Sequence, residues 1–212
     1  MERTLLRPLA AAVLLAASST ALATNTAITP TAAQARMIRT YTAMALEHIA
    51  QAEGAEHNGK TTDELRNLGE VRGLLNLVRA VRPTGEAKGL LHFVQARMDV
   101  EDNTQVLPDL LPLYAALGEL PASKARDTAR ERVDQAKLAL EKGDRQGALH
   151  ALESADRALN LDGIDLPLAA ADDALRQAID QFKEKQNAPS RETLLSVEKN
   201  LLTVLNAARP GR

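Results

Sequence analysis

Residues 129–159 read ARERVDQAKLALEKGDRQGALHALESADRAL, and their spacing decides the fold. Ala129, Val133, Ala136 and Leu140 fall on one face of a helix, and Ala148, Leu152, Ala155 and Leu159 on one face of another. Between the two runs, Gly143 stands where a helix ends on a left-handed residue. Asp144 stands where a short carboxylate caps the next helix. The stretch therefore predicts an antiparallel helical hairpin.

The same periodicity extends in both directions. Leu168, Ala171, Leu175, Ala178 and Phe182 stripe a further helix, and Leu194, Val197, Leu201 and Val204 another, with Pro189-Ser190 breaking and recapping the chain between them. Towards the N-terminus, Thr84 caps a helix striped by Ala87, Leu91, Val94 and Met98. Thr61 and Glu64 read as a capping box for a helix striped by Leu68, Val71, Leu75 and Val78, which Pro83 ends. A first helix starts near Thr29-Pro30, presents Met37, Tyr41, Met44 and His48 on one face, and ends between Gly54 and Gly59. Only Asp99 to Pro121 breaks the pattern. It holds Pro108, Pro112 and Pro121, and reads as a linker or as a short strand around Leu111–Leu117, with Asp162–Pro167 a turn or a second short strand. The fold class expected is mainly α: about seven helices in antiparallel hairpins, with a small two-stranded β element between the halves.

Composition agrees. Aromatic residues make up 2% of the chain and tryptophan is absent, so the core is built from Leu, Val, Ile and Ala. Ala and Leu favour helices, whereas strands favour aromatic and β-branched residues. There are no cysteines, which excludes disulfides and thiolate metal sites.

Met1 to Ala23 has the three parts of a secretory signal peptide. Arg3 and Arg7 give the positive start, residues 8–17 the apolar run, and Ala21-Leu22-Ala23 the cleavage site. The apolar run is about half of the roughly 20 residues a membrane span needs. The expected organisation is a signal peptide at 1–23, a disordered leader at 24–30 and a single helical domain at 31–212. That domain divides into N-terminal helices (31–101), a Pro-rich middle (102–122) and C-terminal hairpins (123–208). Without residues 1–23 the chain keeps 24 basic and 27 acidic residues, a formal charge of −3. A mildly acidic domain lacking a basic block is a poor nucleic-acid binder.

Ala136, Ala148 and Ala155 around Gly143 also match the small-residue spacing of one tetratricopeptide unit. Nothing recurs about 34 residues later, so a repeat array is not expected. The stretch Ala129–Leu205 resembles the C-terminal half of the YfdX family of exported bacterial proteins. The carrying residues are Ala136-Lys-Leu-Ala-Leu140, the turn Gly143-Asp144-Arg145-Gln146-Gly147-Ala148, and Leu166-Pro167-Leu168 opening a helix to Ala178. Leu111-Pro112-Leu113-Tyr114 looks like the family's first short strand, with Asp165–Leu168 near its partner. The N-terminal half departs from the better-known members by an extra helix over Gly85–Val100. The resemblance implies a periplasmic, mainly α protein linked to stress, acid stress above all. It implies no catalytic residues and no cofactor.

Candidate sites are few. Glu53 and His57, with Glu47 and His48 earlier on the same helix, have metal-ligand spacing, but Gly54 and Gly59 loosen that helix end and solvated surface is the simpler reading. Asp99–Asn103 is oxygen-rich, yet a calcium loop needs Gly at its sixth position and Glu at its twelfth, where Thr104 and Leu110 stand. His92 and His150 are candidate pH sensors, since an imidazole titrates near pH 6.5. Arg36, Arg39, Arg66, Arg72, Arg79 and Arg82 form a basic set open to an anionic ligand. Phe93, Leu111, Leu113, Tyr114 and Phe182 are candidates to line an apolar pocket for a small ligand. No nucleophile elbow, phosphate loop or HExxH is present. The functions expected are a non-catalytic, chaperone-like partner of other proteins or of itself, or else a small-molecule binding module.

Overall fold

The computed structural model describes residues 27–184 and 187–209. The signal-peptide reading of 1–23 lies outside them. Within them the chain is helical, without a strand: α1 (Ala32–His57), α2 (Thr61–Val81), α3 (Gly85–Val100), a single turn α4 (Asn103–Val106), a 3-10 turn over Leu107–Asp109, α5 (Leu110–Glu119), α6 (Lys124–Glu141), α7 (Arg145–Ala158), α8 (Asp165–Lys183) and α9 (Asn187–Ala207).

Three pairs dominate the packing: α1 with α2, α6 with α7, and α8 with α9. Long helices joined by such short links and packed on each other run antiparallel. The pairs then form two groups. In one, α9 lies on α1 and α2 on α8; in the other, α3 packs on α5 and α7, and α5 on α6. The stripes read for α2, α3, α6, α7, α8 and α9 are all buried. Ala136, Ala148 and Ala155 are fully buried, and methyl-sized side chains here let α6 and α7 approach closely. Gly143 has φ +79° and Asp144 accepts a hydrogen bond from Gly147 N–H at 2.8 Å, as the turn requires.

Several expectations are corrected. The Pro-rich middle is helical, and Leu111-Pro112-Leu113-Tyr114 lies in α5 rather than in a strand. Pro108 and Pro112 each fall in the first turn of a helical segment, where the backbone N–H has no intrahelical partner to lose. Asp162–Pro167 is a turn running into α8, so the second strand is absent as well. Pro189 lies in the first turn of α9, which starts ahead of it.

The buried face of α1 is Ala35, Ile38, Thr42, Ala45, Ile49, Ala52 and Ala55, one position round from the face read for it; Met37 and Met44 point to solvent. That helix is covered by both α2 and α9, and small residues seat it between them. The α1 cap is Thr31, which with Gln34 makes a full capping box. The leader read at 24–30 is tied down where it is described, because Ile28 is buried in the core. Thr61 and Glu64 form no capping box: Lys60 is the cap residue, its carbonyl accepting from Glu64 N–H, and the Glu64 side chain turns inward.

Candidate functional site

The links between the two groups, 82–84 and 159–164, meet at one place. There the end of α2, the first half of α3, the end of α7 and the start of α8 enclose a cleft of about 760 Å³. Charged side chains build it. Lys88 of α3 is only 5% exposed, and its ammonium donates to Asp156 Oδ1 (2.7 Å) and Asp156 O (2.9 Å) on α7 and to Asn160 Oδ1 (2.9 Å) just beyond it. All three of its protons are used, which is what a buried lysine requires. Arg82, at the end of α2, pairs through Nη1 with Asp165 in the first turn of α8, and its Nε donates to Arg79 O at 3.2 Å. The second Asp165 oxygen accepts from Leu161 N–H at 2.8 Å and so fixes the turn into α8. Arg79 reaches Asp172 Oδ2 at 2.9 Å, one level further along α8.

These contacts shift the charges' titration. Burial lowers Arg82, the neighbouring Arg79 guanidinium lowers it further, and it comes down to about 10. Burial lowers Lys88 too, and its bond to Asp156 offsets part of the fall. Burial alone would raise the Asp156 carboxyl. Its contacts with His92 and Lys88 outweigh that and hold it down at about 2.

The residues singled out in the sequence are distributed as follows. Arg79 and Arg82 belong to the cleft, whereas Arg36, Arg39, Arg66 and Arg72 are exposed elsewhere. His92 lines the cleft, its Nε2 3.5 Å from Asp156 Oδ1. His150 is exposed on α7, its Nδ1 4.0 Å from Glu153. Phe93, Leu111, Leu113, Tyr114 and Phe182 do not line the cleft. Leu113 is fully buried while Leu111, two residues earlier on α5, is 75% exposed; residues two apart on a helix point to opposite sides and cannot share a pocket wall. Tyr114 is half-buried and donates to Asp134 at 2.6 Å.

The oxygen-rich 99–103 segment has structural employment. Glu101 pairs with Arg97, Asp102 caps α4, and Asn103 joins Leu140 O and Arg145 at the α6–α7 turn. His48 Nδ1 lies 3.1 Å from Asn67 Oδ1. Among the described residues no three His, Asp or Glu side chains gather as a metal ion would need, and no helix is long and apolar enough to cross a membrane. Sequence reasoning missed Lys88, Asp156 and Asp165, which look like ordinary surface charges until α3 meets α7 and α2 meets α8.

The family model for YfdX proteins matches residues 45–207. The chain belongs to the YfdX family. The match reaches from the middle of α1 to the end of α9, so the likeness first read in the C-terminal half of this YfdX chain takes in α2, α3 and the charged cleft as well. Searches of curated proteins and of solved structures find no match.

Proposed function

We propose that this YfdX protein is an exported, stress-associated protein of the periplasm that works by binding other proteins, chaperone-like and without catalysis, with further copies of itself among its partners. The observation that carries the reading is the set of carboxylate clasps beside the junction of the two helical groups: Asp156 on Lys88, Asp165 on Arg82 and Asp172 on Arg79. A carboxylate held below its ordinary value stabilises the fold above its unfolded value, and that contribution is lost as pH falls through the folded one. For Asp156 the loss runs from about pH 4 down to about 2. In strong acid the Asp156 clasp on Lys88 opens while the lysines and arginines keep their charge, and repulsion loosens the junction. The Leu and Ala faces behind it then become available to an unfolding client.

The test is light scattering of an aggregating client protein at acid and neutral pH. Suppression near pH 2 that fades at pH 7 is expected; none at a stoichiometric amount of protein overturns the reading. A second reading, a small-molecule binding module, is favoured by the 760 Å³ cleft, though with a charged ligand in place of a purely apolar one.

A further inference from the structure

We propose that the cleft between α2, α3, α7 and α8 is a binding site for a small organic anion, its acidic head on Arg82 and its apolar body against Ala80 and Leu166. The inference deepens the ligand-binding reading and is independent of the chaperone-like one.

Charge is the first argument. Four cations line the cleft (Arg79, Arg82, Lys88 and Arg157), each paired with a carboxylate: Asp172, Asp165, Asp156 and, at 3.9 Å, Glu153. Arg79, Arg82 and Lys88 also repel one another: Arg79 lowers Arg82, and Arg82 lowers Lys88. An anion placed among them relieves that repulsion.

Donor supply is the second. Lys88 has no proton to spare. Arg82 commits Nε and one Nη1 contact to protein acceptors, and its Nη2 has none among the described residues. The Arg82 side chain is 9% exposed, and it lines the cleft. A largely buried guanidinium with an open donor edge suits a carboxylate or phosphate oxygen.

The apolar part of the lining is the third. Leu166, at the cleft, is 72% exposed although its neighbours Asp165 and Leu168 are buried. Ala80 also lines the cleft, and Gly89 leaves the α3 side open, with no atom within 4 Å of where a Cβ would stand. A cationic end and an apolar side in a cleft of this size describe an amphiphilic acid rather than a bare ion.

The experiment is calorimetric titration of the full chain with sodium octanoate, inorganic phosphate and octanol as separate probes. Octanoate is expected to bind saturably, one per chain, and more tightly than either other probe. Two variants leave the Arg82–Asp165 and Lys88–Asp156 pairs intact: Gly89→Leu fills the open side and Leu166→Glu puts a carboxylate in the wall. Each should weaken octanoate by about tenfold or more without lowering the thermal midpoint appreciably. No saturation by octanoate, or equal binding in Gly89→Leu, overturns the proposal. Phosphate binding as tightly as octanoate removes the apolar half of it. Octanol binding that Gly89→Leu abolishes, with octanoate inert, overturns the anion while the ligand-binding reading survives.

Discussion

The Lys88 ammonium of α3 lies 2.7 Å from Asp156 Oδ1 and 2.9 Å from the backbone carbonyl of the same residue on α7. One buried charge thus ties α3 to the last turn of α7 through both side chain and main chain. Removing one member of such a pair strands the other in low dielectric. Lys88→Ala should cost about 3 kcal/mol in urea unfolding. Asp156→Asn should cost less, since the amide oxygen still accepts from Lys88. The double variant should cost less than the two singles together, because the residues touch.

Glu64 gives the opposite sign. It is 1% exposed, its Oε1 has no hydrogen-bond partner among the described residues, and burial together with the Glu56 charge raises its carboxyl to about 7. Below the ordinary value of 4.5 the group is protonated folded or unfolded, and costs nothing. From there to about pH 7 the folded state holds a proton the unfolded state has released, so stability falls as pH rises. Glu64→Gln should raise stability at pH 8 by about 2 kcal/mol and leave it unchanged at pH 4. Equal effects at both pH values would show that the carboxyl is not neutral in the fold.

The α6–α7 turn can be tested through coupling. A Cβ on Gly147 would run into the Asp144 carboxylate that caps α7. Asp144→Ala should cost about 1 kcal/mol. Gly147→Ala displaces the same carboxylate, so the double variant should unfold no earlier than Asp144→Ala alone.

Overpacking should report on the close approach of that hairpin. Ala148→Leu introduces a larger side chain at a fully buried site facing α6 and should cost about 1–3 kcal/mol or more, read as a lowered thermal midpoint. The same change at exposed Ala115 should be nearly silent.

Most of this fold was legible because period 3.6 is local. Leu68, Val71, Leu75 and Val78 bury the face their spacing names, and Gly143-Asp144 turns the chain where their chemistry says. The first helix misled for a physical reason: Met37 and Met44 are bulkier and more apolar than Ala45 and Ala52, yet α2 and α9 together cover the neighbouring face, which carries Ile38 and Ile49 as well as these small residues. Pro112 misled because a proline in the first turn of a helix resembles one that breaks it. The cleft was hardly legible at all. Arg79 and Arg82 stood out only as two of a basic set of six arginines, whereas Lys88 meets Asp156 across 68 positions, and Arg82 meets Asp165 across 83. No periodicity encodes such a meeting.

The packing of α9 on α1 gives the chain a timetable. The group made by α1, α2, α8 and α9 joins both ends of the sequence, while α3 to α7 lie between them in the chain. During synthesis from the N-terminus, α6 and α7 can pair as soon as they emerge, but the apolar face of α1 waits for α9 to arrive. Until then the first hairpin is half-covered and adhesive, and a chain shortened before Leu194 would stay so.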